Sequence, residues 1–224
     1  MRLTLFDLDH TLLHGDSDVL WCDFLIAMGI LDGASFAPRN ADMEARYRDG
    51  SVGVDEFANF YVSTLRQRKL AAWEPIRRSF LATVVAPRIS DAAKDLVRQH
   101  LDAGDLVVMT TATNRYITEL TARYFNIEHL IATEPETIDG EFTGRTTGTL
   151  NMRAGKVTRL HQWLQHRGQR FEHFQSTAYS DSINDLPLLE AVQRPVAVNA
   201  DTRLTALAEQ RGWPSISLRA ASFV

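Results

Sequence analysis

The chain has 224 residues, of which 45% are hydrophobic and 23% are charged, and its formal net charge is −4. This length can bury a sizeable core, and the composition is that of an ordinary globular protein. The acidic balance predicts no nucleic-acid partner and no membrane binding, and the sequence has no apolar run of the length that a membrane span requires.

Taken in chain order, short apolar runs bounded by turn residues predict five buried strands, and helical spacing predicts helices between them. The strands are predicted at 3–8, 105–111, 129–133, 176–181 and 195–200. The helices are predicted at 89–104, 115–125, 156–168 and 185–192. Because strands that alternate with helices form parallel sheets covered on both faces, we predict an α/β fold with a doubly wound, Rossmann-like sheet.

Two segments depart from this alternation. Residues 16–85 carry several helical patterns and no run typical of a buried strand. We therefore predict a helical cap domain at 16–85 and a core domain made of 1–15 and 86–224. Within 134–149, an Asp139-Gly140 pair lies between short β-prone pieces, which predicts a small hairpin.

The single cysteine and the start of the chain bear on the compartment. Cys22 cannot form an internal disulfide, which suits a reducing environment. The chain does not begin with the basic start and uninterrupted apolar stretch of a signal peptide. We therefore expect a cytoplasmic protein in which Cys22 packs as a small apolar residue.

Two carboxylates interrupt the first strand where it ends. Side chains two residues apart on a strand point to the same side, so Asp7 and Asp9 are expected together at the carboxyl edge of the sheet, where open α/β sheets bind ligands. Adjacent carboxylates repel unless a cation joins them, and a hard cation such as Mg²⁺ suits oxygen ligands. A D-x-D pair alone could equally form a turn or a helix cap.

Later motifs favour the first interpretation. The stretch FDLDHTL resembles the first motif of the haloacid dehalogenase superfamily of phosphohydrolases. VVMTTATN at 107–114 resembles the second motif, Lys156 in RAGKVTRL the third, and YSDSINDLPLL at 179–189 the fourth, with Ser180 where the family usually has glycine. The order of the motifs and the position of the cap resemble the phosphoserine-phosphatase-like branch, whose members have a helical C1-type cap.

The resemblance implies a role for each motif residue. Asp7 would attack phosphorus and carry the phosphoryl group, and Asp9 would protonate the leaving oxygen and then activate water. Thr111, with Thr110 as an adjacent candidate, would bind a phosphate oxygen, helped by the backbone N–H of Ala112. Lys156 would neutralise the phosphate and Asp7.

The same resemblance implies Mg²⁺ as the cofactor. Its ligands would be Asp7, the backbone carbonyl of Asp9, and Asp181. Asp185 would support the metal through water or hold Lys156, and Asn184 would orient this group of side chains. Asn184 and Asp185 could also cap the helix that follows them.

The cap would select the substrate, a small phosphomonoester. Asp16 lies where the phosphoserine phosphatase branch has an acidic residue for the substrate amine, although Asp16 could instead cap the next helix. At the position of the branch's cap arginine we find Tyr61, with Arg46 and Arg48 nearby as substitutes. This departure weakens phosphoserine and favours a substrate with an amine and no carboxylate, such as histidinol phosphate, with other small esters open.

Other activities remain as alternatives at this point. A phosphotransferase or mutase would retain the same motifs and differ only in its product. A binding protein with a decayed site would have lost motif residues, and none is missing here. The sequence does not indicate an oligomeric state or whether the cap opens and closes.

Overall fold

The structure, a computed structural model, describes residues 1–66 and 68–219. A seven-stranded sheet has the order β4-β3-β2-β1-β5-β6-β7, and its pairs are parallel except β3 with β4. The strands are β1 (Arg2–Phe6), β2 (Leu106–Asn114), β3 (His129–Ile138), β4 (Glu141–Thr147), β5 (Gln175–Ser180), β6 (Arg194–Val198) and β7 (Ser215–Ile216). The predicted doubly wound α/β fold is confirmed.

Helices connect these strands. They are α1 (Ser17–Ala27), α2 (Gly33–Asp49), α3 (Val54–Val62), α4 (Leu70–Phe80), α5 (Asp91–Asp102), α6 (Arg115–Tyr124), α7 (Ala154–His166), α8 (Leu186–Ala191) and α9 (Thr202–Arg211). A π-helical turn (Leu81–Val85) and a 3₁₀ turn (Ala86–Arg88) follow α4. None of the helices in the described part of the chain has the length and apolar character needed to cross a bilayer.

Side chains of β1 alternate between the two faces of the sheet because the residues of a strand point to opposite sides in turn. Leu3 and Leu5 belong to an apolar cluster with residues of α7, α8 and α9. Phe6 belongs to a second cluster, which contains residues of α5 and α6 on the other face. Asp7 comes next in the series of Leu3 and Leu5, which directs its side chain toward α7.

The helices of the 16–85 segment divide between two apolar clusters. Trp21 of α1 and Trp73 and Phe80 of α4 are buried in the same cluster as Phe6 of the sheet. Residues of α2 and α3, with Cys22 of α1, form a separate cluster that also contains Met152. Burial of Cys22 agrees with the prediction from sequence. The division of the chain into core and cap domains stays a prediction.

The sequence predicted the hairpin of β3 and β4 but neither helix α9 nor strand β7. The predicted hairpin is present, because β3 runs on into an antiparallel pair with β4 around Asp139 and Gly140. Helix α9 and the short edge strand β7 were not predicted. The apolar positions of α9 are few, and β7 has only two residues, which gives no periodic signal.

Candidate active site

A buried lysine joins two carboxylates at the carboxyl edge of the sheet. Asp7 follows β1 directly, and its backbone N–H donates to the carbonyl of Tyr179 at 3.0 Å, which fixes its position against β5. Lys156, in the first turns of α7, donates from Nζ to Asp7 Oδ1 at 2.7 Å and to Asp185 Oδ2 at 2.6 Å. Asp185 also accepts the Ser180 hydroxyl at 2.8 Å.

The electrostatics of this group are unbalanced. Burial raises the pKa of Asp7 to about 7, against the opposing effect of Lys156, and the charges of Asp185 and Asp9 add to the rise. Burial lowers the pKa of Lys156, but Asp185 and Asp7 outweigh burial and hold that pKa above its usual value. Lys156 therefore stays charged, and one ammonium serves more carboxylates than it can neutralise.

A third carboxylate is linked to Asp7 through one hydroxyl. Asp181 lies in the loop after β5, and its backbone N–H donates to Thr11 Oγ1 at 3.0 Å. Thr11 Oγ1 is 2.9 Å from Asp7 Oδ2 and 3.2 Å from Asp181 Oδ1, so its single proton serves one of them at a time. Burial, and then the charges of Asp7 and Asp185, raise the pKa of Asp181 well above its usual value.

The four aspartates predicted around a metal do not all face one point. Within 1–66 and 68–219, no three His, Cys, Asp or Glu side chains converge as a ready cluster of ligands. Asp185 is bound by Lys156, and both carboxylate oxygens of Asp9 accept hydrogen bonds from other groups. Asp7 is also bound by Lys156, but its Oδ2 and Oδ1 of Asp181 share only the one proton of Thr11, and the raised pKa values of both carboxyl groups indicate a site short of positive charge. Oxygen donors of this kind suit Mg²⁺, which binds few protein ligands and retains several waters.

Asp9 is held by three donors. Its Oδ1 accepts the backbone N–H of Ser17 at 2.7 Å. Its Oδ2 accepts the hydroxyl of Thr111 at 3.1 Å and lies 3.0 Å from Thr113 Oγ1. The side chain of Asp9 is thus fixed by the start of α1 and the end of β2.

The two adjacent threonines of β2 point to opposite faces. Thr111 reaches Asp9, whereas Thr110 Oγ1 accepts the side-chain amide of Asn151 at 3.0 Å. This geometry favours Thr111 over Thr110 as the residue that faces the site. Thr111 is buried, and its hydroxyl also accepts the backbone N–H of Thr113 at 3.2 Å.

A cavity of about 380 Å³ opens above these residues. Asp7, Asp9, Ala112, Asp181 and Asp185 line it from the sheet side. The remaining lining residues include His10, Asp16, Glu44, Tyr47, Arg48, Phe57, Thr113, Asp201 and Arg219, so carboxyl groups outnumber arginines in the lining. The helical segment and the sheet edge therefore share one acidic cavity.

Asp16 forms the predicted helix cap, and its predicted contact with a substrate amine stays a prediction. It caps α1, because its Oδ1 accepts the backbone N–H groups of Asp18 at 2.9 Å and Val19 at 3.0 Å. It also lines the cavity. Burial, followed by the charge of Asp9, raises the pKa of Asp16 to about 8.

Some predicted residues do not line the cavity, namely Thr110, Thr111, Lys156, Asn184 and Tyr61, whereas Asp185 does. Asn184 donates its side-chain amide to the carbonyl of Tyr47 at 3.1 Å, which ties the loop after β5 to α2. Asp185 occupies the cap position of α8 but makes no capping hydrogen bond with its side chain, because that side chain binds Lys156. Tyr61 is buried against Phe57 and Phe60.

The two arginines considered as substitutes for the cap arginine are both paired. Arg46 binds both oxygens of Glu56, at 2.7 and 2.8 Å, and does not line the cavity. Arg48 lines the cavity, but its guanidinium donates to Glu44 at 2.5 Å.

The sequence analysis missed several residues at or beside this cavity, and five of them contribute hydroxyl or carboxyl groups. These are Thr11, Asp18, Glu44, Tyr47 and Thr113. Thr11 and Thr113 lie inside motifs already identified, and Asp18 lies in the GDSD stretch, so an inspection of every hydroxyl and carboxyl near the motifs would have found them. Glu44 and Tyr47 carry no motif and reach the cavity only because α2 folds over it.

Comparisons with known proteins identify the family of the chain. Residues 4–190 match the haloacid dehalogenase-like hydrolase family. A histidinol-phosphatase from Neisseria meningitidis serogroup C is 38% identical over 220 residues, which cover 97% of this chain and 99% of that protein. A phosphoserine phosphatase from Mycobacterium tuberculosis is 31% identical over 219 residues, which cover 96% of this chain and 70% of the relative.

Solved structures show the same architecture. A Bordetella pertussis protein of unknown function superposes with a TM-score of 0.93 at 45% identity, covering 97% of this chain and 99% of that one. A substrate-bound phosphoserine phosphatase superposes with a TM-score of 0.69 at 15% identity, covering 97% and 93% of the two chains. At that identity the second likeness shows the fold alone.

Proposed function

The chain belongs to the haloacid dehalogenase-like hydrolases and is a phosphomonoester hydrolase, and from this premise we propose that it acts through an aspartyl-phosphate on a small cationic substrate. The observation that carries the proposal is the buried group of Asp7, Lys156 and Asp185 beneath an acidic cavity. A carboxylate held in this way is a covalent nucleophile for phosphorus.

Each residue of the site has a place in this reaction. Asp7 attacks phosphorus, and Lys156 holds the attacking carboxylate and offsets the charge of the phosphoryl oxygens. Asp9 gives a proton to the leaving oxygen and then takes one from the water that hydrolyses the aspartyl-phosphate. Thr111 supports the phosphate and Asp9 from the end of β2.

We propose Mg²⁺ as the cofactor, held by Asp7, Asp181 and the backbone carbonyl of Asp9. When bound, it neutralises phosphate charge and the repulsion between the two carboxylates. Asp185 then holds Lys156 rather than the metal, which agrees with its 2.6 Å contact to Nζ.

Residues 16–85 act in this proposal as the cap that selects the substrate. Asp16 of the α1 cap and Glu44 of α2 place carboxylates in the cavity. The guanidinium of Arg48 is already bound by Glu44, so a substrate carboxylate would have to displace that pair. Because seven carboxyl groups line the cavity against two arginines, Arg48 and Arg219, a substrate with a positive charge and no carboxylate fits best, and histidinol phosphate has this chemistry. Phosphoserine, which carries a carboxylate, fits less well.

The test is release of inorganic phosphate from a panel of esters that includes histidinol phosphate and phosphoserine, with Mg²⁺ and with EDTA. We expect one cationic ester to exceed the rest by tenfold or more in kcat/KM, with activity lost in EDTA. Glu44→Gln should raise KM for that ester, whereas Asp42→Asn, an equal change of charge on the same helix, should not. Transfer of phosphate to another metabolite without its release would indicate a phosphotransferase, and equal rates for all esters would contradict the substrate proposal.

A further inference from the structure

The hydroxyl of Thr113 has three oxygen neighbours at hydrogen-bond distance. Asp9 Oδ2 lies at 3.0 Å, Asp18 Oδ2 at 3.0 Å and Ser17 Oγ at 3.1 Å. A hydroxyl donates one hydrogen and accepts two. Three bonds need three protons: one from Thr113, one from Ser17, and a third that must be on one of the two carboxyl groups.

Of the two carboxyl groups, Asp18 is the one whose surroundings favour carrying the third proton. The residue is 2% exposed, and its Oδ1 has no hydrogen-bond partner among the described residues. An ionised Asp18 would therefore leave a charged oxygen buried without a donor, which is costly. Asp9 differs, because a backbone N–H and the Thr111 hydroxyl both donate to it.

The electrostatic environment agrees with this assignment. Burial, followed by the charges of Asp16 and Asp9, raises the pKa of Asp18 well above its usual value. The neighbouring acids thus favour a neutral Asp18, independently of the count of protons around Thr113.

We propose that Asp18, as a neutral carboxylic acid, orients the Thr113 hydroxyl toward Asp9 and so holds the Asp9 carboxyl group in the orientation that proton transfer requires. Asp18 and Ser17 donate to the two lone pairs of Thr113, and its one proton is left for Asp9 Oδ2. The backbone N–H of Ser17 then donates to Oδ1 of Asp9, and the hydroxyls of Thr111 and Thr113 donate to Oδ2, so three donors fix the orientation of this carboxyl group.

This makes Asp18 and Thr113 positioning residues for general acid catalysis. The inference rests on the proposed function, because it takes Asp9 as the acid. A proton from Asp9 matters most when the leaving group is a poor one, such as an alkoxide, and least when it is a stable phenolate. A defect in the positioning of Asp9 should therefore depend on the leaving group, whereas a general defect in folding should not.

The experiment compares kcat/KM for an alkyl phosphate, the best ester of the panel, with that for p-nitrophenyl phosphate. The variants are Thr113→Val, Asp18→Leu, Asp18→Asn and Asp9→Asn. Thr113→Val and Asp18→Leu should lower kcat/KM for the alkyl phosphate by about 10- to 100-fold. The same variants should lower kcat/KM for p-nitrophenyl phosphate by less than about threefold. Asp18→Asn, whose amide still donates to Thr113, should recover most of the loss seen in Asp18→Leu.

The outcomes separate this inference from the proposed function. If Asp18→Asn loses as much as Asp18→Leu, or if Thr113→Val lowers both substrates equally, the neutral positioning role is wrong. Asp9→Asn is the reference for the leaving-group effect. If Asp9→Asn itself shows no dependence on the leaving group, the assignment of Asp9 in the proposed function fails instead. Thr113→Val also gives an answer should Asp18→Leu fail to fold.

Discussion

Two polar clusters on this sheet differ in how their charges are balanced. In the site cluster, Lys156 binds Asp7 and Asp185 at the carboxyl edge. In the His100 cluster, made of Arg2, Thr4, His100, Asp105 and Tyr179, Asp105 accepts from Arg2, lies 2.6 Å from His100 Nδ1 and accepts the Thr4 hydroxyl at 3.0 Å. His100 Nε2 lies 2.9 Å from the Tyr179 hydroxyl.

The pKa values of the two clusters move in opposite directions. Burial acts to raise the pKa of Asp105, but hydrogen bonds from His100, Thr4 and Arg2 outweigh it and hold that pKa below its usual value. In the site cluster, burial and neighbouring acids raise the pKa of Asp7 to about 7 despite Lys156. The His100 cluster is thus satisfied within the chain, whereas the site cluster lacks positive charge. A buried cluster of acids with too little positive charge is more typical of a functional site than of a stabilising one.

The largest expected effect comes from removal of the one cation of the site cluster. Lys156→Met should lower kcat by about 100- to 1,000-fold, because it removes a preorganised positive charge. It should also lower the free energy of unfolding by about 3–5 kcal/mol, because Asp7 and Asp185 lose their buried partner. Phosphate release and urea unfolding measure the two effects.

The control for this variant is Lys94→Met. Lys94 lies on α5 and is paired at 2.8 Å with Asp91, an exposed carboxylate, so its removal should change stability by less than about 1 kcal/mol. If both lysine variants behave alike, the contrast between a buried and an exposed ion pair is wrong.

Asp105→Asn should break the satisfied cluster and leave catalysis intact. We expect a loss of about 1–3 kcal/mol in the free energy of unfolding at pH 7, with kcat/KM within twofold of the wild type. Since the folded-state pKa of Asp105 is depressed, its contribution is present above the unfolded value of about 4 and is lost as pH falls through the folded value. Urea unfolding from pH 7 to pH 3 should therefore show the variant and the wild type converging, and a constant difference would contradict this.

Mg²⁺ should stabilise the site cluster and not the His100 cluster. At ten times its Kd, the ion should raise the free energy of unfolding by about 1.4 kcal/mol. Thermal unfolding with and without Mg²⁺ checks this. Asp181→Asn should abolish the gain and Asp105→Asn should retain it, and an equal gain in both variants would indicate binding elsewhere.

The smallest effect is expected at Asp16. Asp16→Asn keeps an oxygen that can cap α1 and removes a carboxyl whose pKa is raised to about 8. For an acid with a raised folded-state pKa, stability falls as pH rises between the unfolded and folded values. The stability of the variant relative to the wild type should therefore grow as pH rises from about 4 to about 8, and at pH 9 the variant should be the more stable of the two. Its KM for a cationic ester should rise, and a variant that is less stable at pH 9 would overturn the interpretation.

The order of the motifs predicted the sheet edge and much of the site. Asp7, Asp9, Thr111 and Asp181 lie on or just after strands whose apolar runs are strong, so their placement at the sheet edge followed from strand polarity, whereas Lys156 lies in the first turn of α7 and was found only through its motif. The choice between Thr111 and Thr110 needed the structure, because alternation along β2 depends on which face packs against α7.

The residues on the cap side of the cavity could be predicted less well from the sequence. Glu44 and Tyr47 lie on α2, and their approach to the sheet depends on how the helix packs on α1 and α3. No local sequence pattern predicts how α2 packs on its neighbours. The pairing of Arg48 with Glu44 likewise appears only when the turns of α2 are in place, and it changed the interpretation of Arg48 from a free cation to an occupied one.

The most direct test of the contrast between the two clusters is a paired measurement on Asp7→Asn at pH 8 without Mg²⁺. In an assay with Mg²⁺, we predict that the variant releases phosphate about 1,000-fold or more slowly than the wild type. Without Mg²⁺, we predict that its free energy of unfolding equals or exceeds that of the wild type. The activity would fall because the nucleophile is gone, and the stability would hold because a buried charge is gone. Retained activity, or a loss of stability as large as that of Asp105→Asn, would contradict the account.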